Sequence, residues 1–212
     1  MGLTRLDLRL YLVTDPVLCT PLGLAETVAA AIRGGVRFVQ LRNKVGSTQE
    51  RVAQARALRA VLRGTGVPLV INDDLEAAQL ADADGVHLGQ DDVSPEEARA
   101  RLGPDRLIGL SCETEAQVRA ADPSVVDYLG LGTVFPTRTK GDHTPAIGFA
   151  GLRALCAASA LPTVAIGGLK AEHAREVFEA GADGLAVVSA ICGQPDPERA
   201  ARAFYQPQET RP

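Results

Sequence analysis

The chain has 212 residues with ordinary globular composition, 46% hydrophobic and 23% charged, and a formal net charge of −4. This length suits one domain with a substantial core. The negative charge, with neither a Lys/Arg stripe nor an aromatic stacking set, argues against nucleic-acid binding. The N-terminal stretch has no signal-peptide pattern, and no apolar run reaches the length of a membrane span. We therefore expect a cytoplasmic protein without a membrane partner.

One pattern, a short apolar strand followed by a polar turn and a helix, recurs along the chain. The predicted strands cover residues 10–14, 38–42, 70–72, 85–89, 107–112, 128–134, 162–166 and 184–189. The predicted helices cover residues 22–33, 49–63, 75–81 and 95–102, with four more after Thr114, after the long loop that follows strand six, from about Ala171 and after Pro197. Eight such units predict an α/β fold, an eight-stranded (β/α)8 TIM barrel.

The alternative fold is a doubly wound open sheet, which also alternates strands and helices. Its Gly-rich turn should follow the first strand. Here that turn is Thr14-Asp15-Pro16, and the glycine pair Gly167-Gly168 comes late in the chain. The barrel is therefore favoured, as a single catalytic domain over residues 1–206, with the polar, proline-bearing residues 207–212 as a flexible tail.

Cysteine usage carries no sign of a structural metal or a disulfide framework. The four cysteines are scattered without C-x-x-C spacing, at positions Cys19, Cys112, Cys156 and Cys192. We expect them to be small core residues.

Acidic residues follow the third and fourth strands. Asn72-Asp73-Asp74 ends one strand, and Asp91-Asp92 lies just beyond the next. Because the carboxyl ends of parallel strands meet at one edge, these carboxylates should converge where such barrels bind ligands. Two carboxylates leave most of an octahedral Mg²⁺ shell for water and a substrate phosphate. The other interpretation, in which an aspartate only caps the following helix, remains open.

Strand two ends in hydrogen-bond donors. Gln40 and Arg42 are two residues apart and share a face, and Lys44 can follow them. A guanidinium fork and a mobile ammonium suit phosphate oxygens, so this end is interpreted as an anion cradle. A solvated rim is the alternative for Arg42 and Lys44.

A second anion site is indicated at strands six to eight. The polar loop 135–145 contains hydroxyls and a lysine, and is interpreted as a phosphate lid rather than a disordered excursion. Gly167-Gly168 would let backbone amides approach an anion, unless it is a simple turn. Residues 189–191 are predicted to begin a short helix whose N-terminus favours negative charge.

The two sites predict a protein that holds a metal-diphosphate and a phosphate monoester at one mouth. The sequence shows no Ser/His/Asp set, no Cys/His pairing and no lysine in a Schiff-base setting. Chemistry by positioning and charge stabilisation fits this inventory better.

In order along the chain, these motifs resemble those of the thiamine-phosphate synthases. The matching segments are 11–15, 40–44, 71–74, 85–92, 109–111, 130–140, 166–168 and 188–191. The chain departs from the usual pattern at Asn43, where glutamate is usual, and at Glu113, where histidine is usual.

The resemblance implies roles for individual residues. Mg²⁺ would be bound by Asp73 and Asp92. The pyrimidine diphosphate would be held by Gln40, Arg42, Lys44, Asn72, Ser111 and Lys140, and the thiazole phosphate by Thr137, Thr139, Gly168, Val188 and Ser189. The residues expected to act in catalysis are Arg42, Lys44, Ser111 and Lys140.

The implied reaction is a transfer in thiamine biosynthesis. Diphosphate leaves the aminopyrimidine methylene carbon with help from Mg²⁺, and the thiazole nitrogen captures the resulting cation. Two alternatives are a thiazole tautomerase-like barrel and a non-catalytic thiazole-phosphate binding protein. The role of His87 is left open between the pyrimidine pocket and the core, and the oligomeric state is also open, a homo-oligomer included.

Overall fold

The computed structural model describes residues 5–137 and 145–205. After a 3-10 turn at Arg5–Leu8, strands and helices alternate through this part of the chain. The strands are β1 (Leu10–Val13), β2 (Phe38–Leu41), β3 (Leu69–Asn72), β4 (Gly85–Leu88), β5 (Leu107–Cys112), β6 (Tyr128–Leu131), β7 (Thr163–Ile166) and β8 (Gly184–Val187). The α-helices are α1 (Leu24–Arg33), α2 (Thr48–Leu62), α3 (Leu75–Leu80), α4 (Pro95–Leu102), α5 (Glu115–Ala120), α6 (Gly148–Ala158), α7 (Ala174–Glu179) and α8 (Pro197–Arg202).

The eight strands form a closed parallel barrel in sequence order. Each strand pairs with the next along the chain, and β1 closes the barrel by pairing with β8, where Tyr11 is opposite Ala186. Helical crossovers between parallel strands put the helices outside and bring the carboxyl ends of all strands to one face. The predicted barrel is therefore confirmed.

Two apolar layers hold the barrel together. The larger lies between the strands and the helices. The smaller fills the barrel interior around three aromatic rings, Tyr11, Phe38 and Tyr128, whose centroids are 4.5 to 6.0 Å apart. These rings lie near the amino-terminal ends of β1, β2 and β6, so the open space of the barrel faces the carboxyl ends of the strands.

Polar side chains begin several helices. Ser47 and Thr114 form capping boxes with Glu50 and Gln117, and Ser94 accepts a hydrogen bond from an amide in the first turn of α4. The predicted caps at Ser94 and Thr114 are thus confirmed. Among the described residues, no helix is long and apolar enough to cross a membrane.

The structure corrects two local predictions. The helix predicted from Ala171 starts as a 3-10 turn and becomes α7 only at Ala174. The short helix predicted at 189–191 is wrong: that segment forms hydrogen-bonded turns in which the amides of Ile191 and Cys192 donate to the Val188 carbonyl. Gly193, at φ 76°, ends this turn before a helix can propagate.

Buried cysteines agree with the core interpretation, with one refinement. Cys19, Cys112 and Cys192 are buried free thiols. Cys19 and Cys192, although 173 residues apart, bring their sulfur atoms within 3.5 Å. The predicted tail at 207–212 lies outside the described residues.

Candidate active site

A pocket of about 820 Å³ opens at the carboxyl ends of the strands. Its wall is formed by residues of all eight strands and of loops that follow them, and no residue of the described helices lines it. The predicted binding residues that line it are Gln40, Arg42, Asn72, Ser111, Thr137, Gly168, Val188 and Ser189. One pocket therefore brings together residues predicted for both substrates. Thr139 and Lys140 lie outside the described residues.

Asp73 and Asp92 form a carboxylate pair next to this pocket. Asp73 follows Asn72 in the chain and has the unusual φ of 62°. The pKa of Asp73 is raised to about 6, first by burial and then by the adjacent Asp92 carboxylate, which shares a hydrogen bond with it. Lys44 and Asn72 act in the opposite direction. Asp92 is held from the other side by the Gly89 amide, 2.6 Å from its Oδ2.

The donor set fits a hard cation with few protein ligands. Two carboxylates forced together repel each other when both are ionised, and a cation between them removes that repulsion. Within the described ranges there is no group of three or more His, Cys, Asp or Glu side chains that could hold a metal. Mg²⁺ commonly takes only one or two protein carboxylates and completes its shell with water and phosphate, which two aspartates suit.

Asp74 resolves the question of the helix cap. Its Oδ1 accepts a hydrogen bond from the Ala77 amide at 2.8 Å, and its Oδ2 accepts hydrogen bonds from Thr48 and Arg51 at 2.9 and 2.8 Å. Asp74 therefore begins α3 and ties it to α2. The capping interpretation holds for Asp74 and leaves Asp73 available to a ligand.

The predicted donor cluster divides between two places. Gln40, only 4% exposed, and Arg42 both line the pocket. Lys44 is exposed, and its charge acts on Asp73. The pocket wall thus carries the amide and the guanidinium, while the ammonium lies on the side of the carboxylates.

Of the two departures from the family pattern, Asn43 has a local structural role. Asn43 is buried, accepts a hydrogen bond from the Gly46 amide at 2.9 Å and donates to Gln54 at 3.2 Å. It therefore fixes the loop that carries Lys44. The backbone amide of Glu113 donates a hydrogen bond to the side-chain oxygen of Gln117, in α5, at 2.7 Å.

The glycine pair after β7 allows a close approach between loops. Gly167 and Gly168 have φ values of 110° and 62°. A Cβ on Gly168 would lie 2.8 Å from Phe135 Cβ and 2.9 Å from the Pro136 carbonyl oxygen. The pair is therefore required for packing against the loop after β6, and Gly168 itself also lines the pocket.

A chain of side-chain hydrogen bonds crosses the pocket floor. Gln40 Nε2 donates to Tyr11 Oη at 2.7 Å, and the hydroxyls of Tyr11 and Tyr128 are 2.9 Å apart. His87 bridges the rest, with Nδ1 3.0 Å from Tyr128 Oη and Nε2 3.0 Å from Ser111 Oγ. Sequence reasoning missed both tyrosines, although a strand tyrosine in a chain with only three is an available signal.

These hydrogen bonds also bear on the prediction that the sequence contains no Ser/His/Asp set. Ser111 does meet a histidine, because β4 and β5 are neighbours. The other nitrogen of His87 contacts a tyrosine hydroxyl where a triad would have a carboxylate. A hydrolytic triad is therefore not formed, and His87 belongs to the pocket floor, 7% exposed.

The chain is similar to known proteins over most of its length. The family model for thiamine monophosphate synthase matches residues 10–191. Thiamine-phosphate synthases of Xanthobacter autotrophicus and Azorhizobium caulinodans are 55% and 50% identical, covering 93% and 96% of this chain and 94% and 96% of their own. The solved thiamine phosphate pyrophosphorylase of Pyrococcus furiosus superposes with a TM-score of 0.85 at 35% identity, covering 95% of each chain.

Proposed function

The chain is a transferase of the thiamine monophosphate synthase family, and from this premise we propose that it joins an aminopyrimidine diphosphate to a thiazole phosphate. The substrates are 4-amino-2-methyl-5-hydroxymethylpyrimidine diphosphate and 4-methyl-5-(2-phosphoethyl)thiazole, and the products are thiamine phosphate and diphosphate. The observation that carries the proposal is a single pocket lined by Gln40, Arg42 and Ser111 on one side and by Gly168 and Ser189 on the other. Two substrates could meet there.

The pyrimidine diphosphate is assigned to the side of β2 to β5. Asp73 and Asp92 would hold Mg²⁺, which supplies positive charge to the departing diphosphate. Arg42 and Lys44 would bind the diphosphate oxygens, together with Lys140 as the family resemblance implies. Gln40, Asn72 and Ser111 would orient the substrate by hydrogen bonds.

The thiazole phosphate is assigned to the side of β6 to β8. Thr137, Gly168, Val188 and Ser189 belong to loops that meet in the pocket, and Thr139 continues the first of them. A phosphate at the end of strands seven and eight is a recurring arrangement in barrels of this type. The thiazole nitrogen would then face the pyrimidine methylene carbon across the pocket.

The mechanism requires charge stabilisation and no general base. The carbon–oxygen bond to diphosphate breaks, the bonding electrons leave with the diphosphate, and positive charge is delocalised over the aminopyrimidine. The thiazole nitrogen then donates its lone pair to the methylene carbon. Cationic residues around the leaving group lower the barrier because they stabilise charge that develops in the transition state.

The same geometry weakens the two alternative functions. A tautomerase needs an acid/base pair but no metal-diphosphate site, so the paired Asp73 and Asp92, with Lys44 acting on Asp73, would have no role. A non-catalytic thiazole-phosphate binder would not need the pyrimidine side of the pocket. The cytoplasmic location and a homo-oligomeric state stay predictions.

A product assay on the purified protein separates these functions. Both phosphorylated halves are supplied together and singly, with Mg²⁺ or with a chelator, and thiamine phosphate and diphosphate are quantified. We expect both products in equal amounts, only with both halves and Mg²⁺. Thiazole isomerisation without coupling would support the tautomerase instead, and binding without turnover would support the non-catalytic thiazole-phosphate binding protein.

A further inference from the structure

The hydrogen bonds on the pocket floor can be ordered in one direction, starting from the Gln40 amide. A tyrosine hydroxyl has a single hydrogen to donate. Because Tyr11 accepts from the Gln40 amide, its own hydrogen is available for Tyr128. In this order Tyr128 accepts from Tyr11 and donates its own hydrogen to His87 Nδ1, 3.0 Å away. Burial raises the pKa of both tyrosines, so each keeps the hydrogen that this order needs.

The direction fixes the state of the last two members. In the same order His87 Nδ1 is an acceptor, so a neutral imidazole carries its hydrogen on Nε2 and donates it to Ser111 Oγ, 3.0 Å away. The hydroxyl hydrogen of Ser111 is then not used toward His87. Ser111 lines the pocket, and its hydrogen is therefore available to an acceptor on a substrate.

Two glycines make room for this arrangement. A Cβ on Gly109 of β5 would overlap the Tyr128 hydroxyl and His87 Nδ1. A Cβ on Gly130 of β6 would lie 3.2 Å from His87 Cε1 and 3.4 Å from Nε2. Neighbouring strands thus leave space at the point where the imidazole meets both hydroxyls, which is evidence that the barrel is built around this contact.

The opposite direction would have the opposite consequence. With the Gln40 amide turned over, Tyr11 would donate to its carbonyl, Tyr128 to Tyr11, and His87 to Tyr128 from Nδ1. Ser111 would then donate to His87 Nε2 and present only lone pairs to the pocket. The tautomer of His87 therefore reports the direction of the whole chain.

We propose that Tyr11 and Tyr128 are positioning residues for the transfer reaction, because they hold His87 as the Nε2–H tautomer and so make the Ser111 hydroxyl a hydrogen-bond donor toward the substrate. This rests on the proposed function for its catalytic consequence. The hydrogen bonds themselves do not. Ser111 in this arrangement is a donor to the pyrimidine or its diphosphate and is not activated as a nucleophile.

The tautomer is measured without substrate by long-range ¹H–¹⁵N NMR of uniformly labelled protein, at a pH well above the ordinary histidine pKa. The His87 signals are those absent from the His87→Gln protein. We expect a pyridine-like Nδ1 and a protonated Nε2 in the wild type, and loss of this fixed state in Tyr128→Phe. Phe38→Leu is the packing control, since Phe38 touches both tyrosine rings but donates no hydrogen bond.

Kinetics test the catalytic consequence by a double-mutant cycle. Tyr128→Phe should lower kcat about tenfold, the effect of one lost hydrogen bond in the transition state. In the Ser111→Ala background the same change should lower kcat less than twofold, because the group through which it acts is already missing. Tyr11→Phe should show the same dependence on Ser111.

Several results would overturn the proposal. They are a protonated Nδ1 in the wild type, an unchanged tautomer in Tyr128→Phe, and equal kcat losses in both Ser111 backgrounds. If the wild type formed no thiamine phosphate, the proposed function would fail, whereas the NMR result would still decide the direction of the hydrogen bonds.

Discussion

The adjacent residues Asp73 and Asp74 after β3 have different roles, although the sequence pattern does not distinguish them. The carboxylate of Asp74 accepts hydrogen bonds from α3 and α2, whereas the carboxylate of Asp73 is paired with that of Asp92. Sequence reasoning could predict that carboxylates reach this edge but left the cap and the ligand undistinguished, because the choice depends on Thr48 and Arg51. The contact between the two tyrosine hydroxyls could not be predicted from the sequence, because Tyr11 and Tyr128 are 117 residues apart.

Charge removal at each aspartate should separate activity from stability. Asp73→Asn should lower turnover by orders of magnitude with an unchanged or higher Tm, because it removes a metal ligand and the repulsion with Asp92. Asp74→Asn should keep activity within tenfold of wild type but lower the free energy of unfolding by about 1–2 kcal/mol, because the half-buried pair with Arg51 is broken. Steady-state kinetics at limiting Mg²⁺ and thermal melts provide the comparison.

Asp92→Asn should resemble Asp73→Asn, and excess Mg²⁺ should partly rescue both. Rates near wild type for these two variants at limiting Mg²⁺ would contradict the metal assignment.

At the scale of elements, caps and strand ends were predictable because their signals are local. Ser94 and Thr114 begin helices where the sequence places them. The helix prediction for 189–191 is wrong because the length of this turn depends on Gly193, whose positive φ ends it. The role of Gly167-Gly168 was only partly foreseen, since the loop it packs against is distant in sequence.

Gly168→Ala should be costly in both stability and binding. It places a side chain at φ 62° and against Phe135, which together should cost about 2–4 kcal/mol of unfolding free energy and raise the KM for thiazole phosphate. Gly64→Ala is the matched control: its φ is 80°, but its Cβ would meet nothing within 4 Å, so about 1–2 kcal/mol and an unchanged KM are expected. Equal effects of the two changes would show that the loop contact is unimportant.

The loop after Thr137 is tested by comparing lysines. Lys140→Ala should reduce kcat/KM by at least tenfold because it removes a cation assigned to the diphosphate. Lys170→Ala, an exposed residue after the glycine pair, should stay within twofold while changing the net charge equally. If both variants lose activity to the same degree, the phosphate-binding role of the loop is wrong.

The whole molecule was the most predictable level. Eight units with the same strand-and-helix pattern leave few ways to pair parallel strands, and closure by β1 and β8 follows. Since a closed parallel barrel gathers all strand ends, the sequence alone assigns residues as distant as Gln40 and Ser189 to one mouth of the barrel. The sequence does not predict which of these residues touch each other, because their contacts depend on the directions of the side chains and on glycines in the neighbouring strands.

The central claim is that this barrel joins its two substrates by stabilising a departing diphosphate, so that positive charge builds on the pyrimidine before the new bond forms. Single-turnover measurement of the chemical step, with the normal pyrimidine and with its methyl group replaced by trifluoromethyl, tests this most directly. The account predicts a fall of several orders of magnitude for the trifluoromethyl substrate, because the electron-withdrawing group destabilises the cationic transition state with little change in shape. Nearly equal rates would contradict it and would require direct displacement by the thiazole nitrogen.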